Sequence, residues 1–331
     1  MVASSTSATR ATSRAGEKPA RVSSKKTKHL NEVDKSRRIP ENGVLAPWLF
    51  VLPALIVIVV FFIIPFINTL KLSFTDATML KPGSFVGFDQ YIKMFGDPRL
   101  KTALLNSSLY VVCVVPCMVI FPLILSALVS GNGRVLAFFR VSFYMPVVMS
   151  SVIVGLIWTN LLDSRGLVNS IFKAMKWITE PIPFLTDRWL LLFSAMLVTI
   201  WTGLGYYMVI YLSALANIDP SLYEASELDG CGPIRQFLHV TVPGCRSTMM
   251  LIMLLSSIAA FRVFNEIYVL TGGTGGTGGE DLTMSMLIKR EGTGLQARTG
   301  YAGAISMLMF VILGTLIVIE NIVQRKADRN A

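Results

Sequence analysis

Charge is what this sequence has least of. Of 331 residues only 15% are charged and 53% are hydrophobic, whereas a soluble domain carries about 25% charged residues. So little polar material cannot coat a water-facing surface, which argues against a soluble globular enzyme, and so much apolar material excludes a disordered chain. Histidine is nearly absent: His29 and His239 stand in unrelated contexts and offer no catalytic cluster. The four cysteines (Cys113, Cys117, Cys231, Cys245) contain no CxxC pair, so neither a disulfide framework nor structural zinc is expected, and no metal site is. Cys113 and Cys117 sit one helical turn apart in an apolar run, where packing outweighs a redox pair. A phosphate cradle is missing too. The run Thr271-Gly272-Gly273-Thr274-Gly275-Gly276-Thr277-Gly278-Gly279-Glu280-Asp281 has the glycines, but the lysine of GxxxxGK[ST] does not follow. It reads as a Gly/Thr turn, and a chain with no nucleotide site cannot hydrolyse ATP; no cofactor is expected.

The formal net charge is +10, yet it describes an appendage. Ten Lys/Arg against three acids stand before residue 41 and supply +7 of the +10. The remaining body is nearly neutral, so no nucleic-acid partner is expected. Residues 1–45, rich in Ser, Thr, Ala, Lys and Arg, read as a disordered basic tail beside the membrane. Its first 40 residues lack an apolar core and predict no cleavable signal peptide.

What the sequence has in abundance is long apolar runs. A hydrocarbon core about 30 Å thick needs ~20 apolar residues as helix, and six stretches meet that need: 48–70, 104–130, 139–162, 190–215, 249–270 and 301–323. None shows the polar face of a soluble amphipathic helix. Backbone groups in lipid are satisfied internally, so these are helices, with Pro53, Pro65, Pro116, Pro122 and Pro146 as kinks. The fold class is all-α and integral to the lipid bilayer, a six-transmembrane-helix bundle. Orientation follows the Lys/Arg bias of the tails. The ten basic residues before the first run place the N-terminus in the cytoplasm, and six crossings return the C-terminus there, with Arg325, Lys326 and Arg329 in a short tail, 324–331. The later loops alone do not follow the bias, so the tails decide it.

One loop exceeds what joining two spans requires. Residues 219–243 read Asp219-Pro220-Ser221-Leu222-Tyr223-Glu224-Ala225-Ser226-Glu227-Leu228-Asp229-Gly230-Cys231-Gly232-Pro233, followed by Ile234 to Pro243. Asp219 is a helix cap with Pro220 in the first turn. Gly230 and Gly232 end that helix, and Pro233 starts another. Leu222, Ala225, Ser226 and Asp229 share one side, and two of them are small, so another body can come close. The plainer alternative is an interfacial helix that only links spans.

Glu224-Ala225-Ser226, then Asp229-Gly230, then Val240-Thr241-Val242-Pro243 resembles the EAA loop of importer-type ABC transporter permeases, commonly E-A-A-x-x-D-G-A with a distal I-x-L-P. Ser226 and Cys231 replace alanines, and Val240 and Val242 replace Ile and Leu. Phe85-Val86-Gly87-Phe88-Asp89-Gln90-Tyr91 is similar to the first outer-loop motif of the carbohydrate subgroup related to maltose and glycerol-phosphate permeases. The gapless stretch from Trp201 to Glu224 and the span-five ending Phe264-Asn265-Glu266-Ile267-Tyr268-Val269-Leu270-Thr271-Gly272-Gly273 also resemble that subgroup. The likeness covers about 46–323 and implies a bundle of the type I ABC importer permease kind. It implies an elbow that docks on a cytoplasmic ATPase dimer: Glu224 offers a carboxylate, Ala225 and Ser226 allow close approach, Gly230 makes the bend, and Asp229 completes the motif. A second homologous permease, an extracytoplasmic solute-binding protein and a sugar substrate are implied with it.

A sugar pathway needs aromatic faces beside polar groups. Span four offers Trp201, Tyr206, Tyr207 and Tyr211; span five offers Arg262, Asn265 and Glu266. Arg262 and Glu266 are one turn apart, so a pair can form, with snorkelling as the alternative for Arg262. Maltose-type permeases place substrate contacts at positions matching Trp201, Gly203 and Tyr206, while their Asn-rich positions fall near 260–263 and match poorly. The reading is a non-enzymatic permease subunit moving a sugar or polyol by alternating access in a cell membrane. Glycerol phosphate or another small polar solute is the alternative cargo. An ATP-independent secondary transporter would show internal repeats with broken, charged helices, and a membrane enzyme would need clustered acids or histidines in its spans.

Overall fold

A computed structural model describes the backbone from residue 45 to 329 and side chains from 48 to 326. The basic tail, up to residue 44, lies outside the described residues. The chain divides into two units, Met1–Ile64 and Pro65–Ala331.

In the first unit, α1 (Leu45–Ile58) runs into a π-helical turn, Val59–Ile63. That turn comes just before Pro65, which cannot donate to the carbonyl four residues back; a widened turn absorbs the missing bond. The side chains from Trp48 to Ile63 are all apolar and all exposed, as lipid solvation allows.

Helix α2 (Ile64–Leu72) carries the chain into the second unit, where a short amphipathic α3 (Asp89–Gly96) follows. The long α4 (Pro98–Val129) starts from Asp97, whose side chain accepts a hydrogen bond from the Arg99 N–H, with Pro98 at the favoured first position. Next come α5 (Arg134–Val148), α6 (Ser151–Leu162), α7 (Leu167–Ala174) and α8 (Arg188–Leu215). The core forms where α4, α8 and a later helix meet. Tyr110, Val114, Leu192, Ala195, Tyr211 and Ile252 are buried there. Two phenols tie α4 to α8: Tyr110 Oη lies 2.6 Å from Thr199 Oγ1, and Tyr211 Oη donates to the Val119 carbonyl at 2.9 Å. Among the described residues there is no strand, only two isolated bridges at Thr75–Phe85 and Thr78–Lys81.

Among the described residues, five helices are long and apolar enough to cross a membrane, and a sixth crossing exists if one bent pair counts as a span. That pair is the third apolar run. The sequence reads it as one helix over 139–162, but the structure bends it by 99° between Val148 and Ser151. Pro146 removes an N–H and crowds the preceding turn, and Ser150 takes an extended conformation from which α6 restarts.

The fifth run is also interrupted. Helix α11 (Arg246–Phe261) stops, three residues pass, and α12 (Asn265–Leu270) resumes. The carbonyls freed by the break are taken by hydroxyls of the next helix, α13 (Met284–Gly292): Ser285 Oγ donates to Arg262 O, and Thr283 Oγ1, at the cap, to Val263 O, both at 3.0 Å. Backbone irregularity in a membrane is tolerated where protein supplies such partners. The last helix, α14 (Thr299–Arg329), passes through Val323 without a break, so 324–329 are helical.

Candidate functional site

The elbow after α8 is built by its own sequence. Helix α9 (Pro220–Leu228) is capped by Asp219, whose carboxylate accepts the Ser221 N–H at 2.9 Å. That bond, made to an ionised acceptor, holds the Asp219 carboxyl below the usual carboxylate range. At the other end Cys231 N–H bonds to Ser226 O at 2.9 Å and Gly230 N–H to Glu227 O at 3.0 Å. This is a Schellman ending, with Gly230 in the left-handed region at φ +74. Pro233 then opens α10 (Pro233–Gln236), and a π turn, Phe237–Thr241, leads towards α11.

No residue of α9 is buried. Glu224, Ala225, Asp229 and Gly230 are exposed, Ser226 is half-buried, and Leu228 and Ile234 show 90% and 76% of their surface. Tyr223 faces the other way: its Oη lies 3.0 Å from Thr241 Oγ1 and it lines a cavity of about 650 Å³ with Leu128, Arg140, Leu215 and Phe237. The elbow is therefore braced on its inner side and open on its outer side. The five residues expected to form one docking surface lie on this one short segment.

The expected solute contacts divide. Gly203, Tyr206 and Glu266 line one cavity of about 280 Å³, with Met118, Met149, Thr199, Thr202, Tyr207 and Ala259 among its other walls. Trp201 lines an adjoining cavity of about 270 Å³ that shares Pro146 and Met149, and it meets Trp158 edge to face at 5.7 Å. Arg262 and Asn265 are exposed and line neither cavity.

The Arg262–Glu266 pair anticipated from one-turn spacing does not form. Among the described residues neither belongs to an ion pair. The spacing rule assumes continuous helix, and the chain breaks between the two. Glu266 is left as an acid inside a span facing a cavity, the arrangement expected of a functional intramembrane carboxylate. Thr199 and Thr202 were not anticipated; their signal was the α8 face that also carries Gly203 and Tyr206.

Residues 98–329 match the family described as "Binding-protein-dependent transport system inner membrane component". The chain belongs to this family. It is 33% identical over 278 residues to the probable ABC transporter permease protein YurN of Bacillus subtilis (strain 168), covering 83% of this chain and 94% of that one. With the lactose transport system permease protein LacF of Rhizobium radiobacter the identity is 31% over 271 residues, covering 81% and 90%. Its fold is similar to that of a chain in a bacterial ABC transporter involved in the import of the acidic polysaccharide alginate: TM-score 0.75, 20% identity, 90% of this chain and 99% of that one. This transport component is a multi-pass membrane protein.

Proposed function

We propose that this permease component conducts a sugar, a di- or oligosaccharide or a related polyol, inward by alternating access, driven by a separate ATPase dimer. The observation that carries the reading is the elbow: a capped, Schellman-ended helix, open on its outer side and carrying Glu224-Ala225-Ser226 and Asp229-Gly230, in a member of the binding-protein-dependent family. A body seated on that exposed face, the ATPase, moves the elbow, and the braced inner side with Tyr223 and Thr241 passes the motion to α4 and α8. The chain itself is not catalytic.

Relatives named for lactose, arabinooligosaccharide and starch-degradation-product transport support a carbohydrate cargo. So does the cavity, which sets Tyr206 and Tyr207 beside Thr199, Thr202 and Glu266, aromatic faces for CH groups and polar atoms for hydroxyls. A second, homologous permease, which the likeness to importer permeases implies, would complete the pathway on the open side of this cavity. The basic tail supports cytoplasmic termini; the elbow then faces the cytoplasm, and the glycine loop faces outward, where a solute-binding protein delivers cargo.

The test is uptake by cells lacking this chain, across radiolabelled oligosaccharides, polyols, glycerol phosphates and amino acids. Loss of one carbohydrate, restored by the wild-type chain and abolished by ATP depletion, is expected. Loss confined to amino acids, or uptake that survives ATP depletion on an ion gradient, overturns the reading.

A further inference from the structure

The glycine run after α12 lacks a P-loop lysine, yet it roofs a polar cavity of about 650 Å³. This cavity shares no wall with the Gly203–Tyr206–Glu266 cavity. Two glycines permit its shape: a Cβ on Gly273 would come within 3.1 Å of the Tyr268 ring, and one on Gly279 within 2.9 Å of Arg290 Nη1.

Two neighbouring cations of α13 form the floor. Lys289 Nζ sits 3.5 Å from the Tyr268 ring centroid, and Tyr268 stacks on Phe264 at 5.1 Å, so the ammonium is held in place by ring faces. Arg290 follows directly. Among the described residues neither cation makes an ion pair, and no carboxylate lines the cavity. In the roof, the N–H groups of Gly276 and Gly278 have no partner in the loop's own hydrogen bonds. A concave site with two uncompensated cations and free amides favours an anion, and the planar guanidinium matches a carboxylate.

We infer that the glycine-loop cavity is a carboxylate-binding site, in which Lys289 and Arg290 neutralise the charge and the Gly276 and Gly278 N–H groups donate to the carboxylate oxygens from above. The inference rests on the proposed importer function for its two sources of carboxylate: an acidic side chain of the solute-binding protein, or an acidic sugar.

The experiment uses the complete transporter, with its ATPase and companion permease, in nanodiscs. One arm titrates ATPase activity with the purified solute-binding protein, and the other measures trigalacturonate binding by calorimetry with that protein omitted. In one arm the Lys289→Gln/Arg290→Gln double variant is expected to raise the half-saturating concentration about tenfold and to flatten its salt dependence. Thr274→Glu, which sets an internal carboxylate at the cavity wall, is expected to do the same, and Lys289→Arg with Arg290 intact to stay near wild type. A shift in the first arm assigns the carboxylate to the partner protein, and in the second to the solute. Wild-type values for the double variant and for Thr274→Glu in both arms overturn the site. A wild-type complex whose ATPase ignores the binding protein instead overturns the importer reading, while the calorimetric arm still judges the site.

Discussion

Gly230 and Gly232 flank Cys231 at the bend of the elbow, but only one depends on being glycine. A Cβ at either meets nothing within 4 Å, so space is not the issue. Gly230 stands at φ +74, whereas Gly232 is extended at φ −75. A side chain in the left-handed region costs roughly 1–2 kcal/mol; in the extended region before a proline it costs little. Gly230→Leu is therefore expected to lower uptake severalfold at unchanged membrane abundance, and Gly232→Leu to leave uptake near wild type. Equal uptake by the two variants, measured against immunoblotted protein, would break the link between the bend and transport. A second residue-scale expectation concerns Asp281, which is 1% exposed. Burial drives its carboxyl up to about 7 against a downward pull from Arg188, and Glu280 and Asp187 add repulsion. The folded protein then holds a proton that the unfolded chain releases near pH 4. The stability this contributes is complete below about pH 4 and is lost as pH rises through about 7. Thermal unfolding between pH 5 and 8 should show a falling Tm in the wild type and a flatter profile in Asp281→Asn.

At the scale of elements, breaks in helices shape the Gly203–Tyr206–Glu266 cavity, whose walls include Pro146, Met149 and Ser151 at one break and Glu266 just after the other. Three residues between α11 and α12 leave the carbonyls of Arg262 and Val263 to the hydroxyls of Ser285 and Thr283. Thr283 is fully buried, so Thr283→Val strands a carbonyl at a cost of about 1–3 kcal/mol, while Ser285→Ala, at a more open site, should cost less. Detergent-solubilised protein should show a clear drop in Tm for the first and a small one for the second; the reverse order would mean that the hydroxyls do not hold the break. These breaks were the least legible part of the fold. Hydropathy finds where lipid solvates a helix, and Asp219-Pro220 and Gly230 mark the elbow because capping and left-handed turns are local. The interruption at Arg262 depends on donors about twenty residues further on, which no local pattern records. That is why one-turn spacing suggested a pair for Arg262 and Glu266. The family likeness pointed to Gly203 and Tyr206, and both line one cavity, whereas Thr199 and Thr202 join them there only because α8 continues as helix through all four.

At the scale of the whole molecule, α4 sets the distance between the two ends where partners would act. Near its start, Asn106 Nδ2 donates to the carbonyls of Glu280 and Leu282, just after the glycine loop. Near its end, Leu128 shares a cavity with Tyr223 and Ile234 of the elbow. Twenty-two residues of helix span about 33 Å, close to the ~30 Å hydrocarbon core, so loop and elbow belong on opposite faces of a bilayer. A network at the starting end keeps the α13–α14 connection there: Arg99 pairs with Asp97 at 2.8 Å and with Glu291 at 2.8 Å, and Glu291 also pairs with Arg298 at 2.6 Å. Leu295, in that connection, and Leu228, on the elbow, are both well exposed, at 78% and 90%. With the four free cysteines replaced, Leu295→Cys should react with a membrane-impermeant maleimide on intact spheroplasts, and Leu228→Cys only after permeabilisation. The opposite pattern would invert the proposed orientation, and labelling of both from one side would refute the crossing itself, because α4 would then not separate the two ends by a membrane.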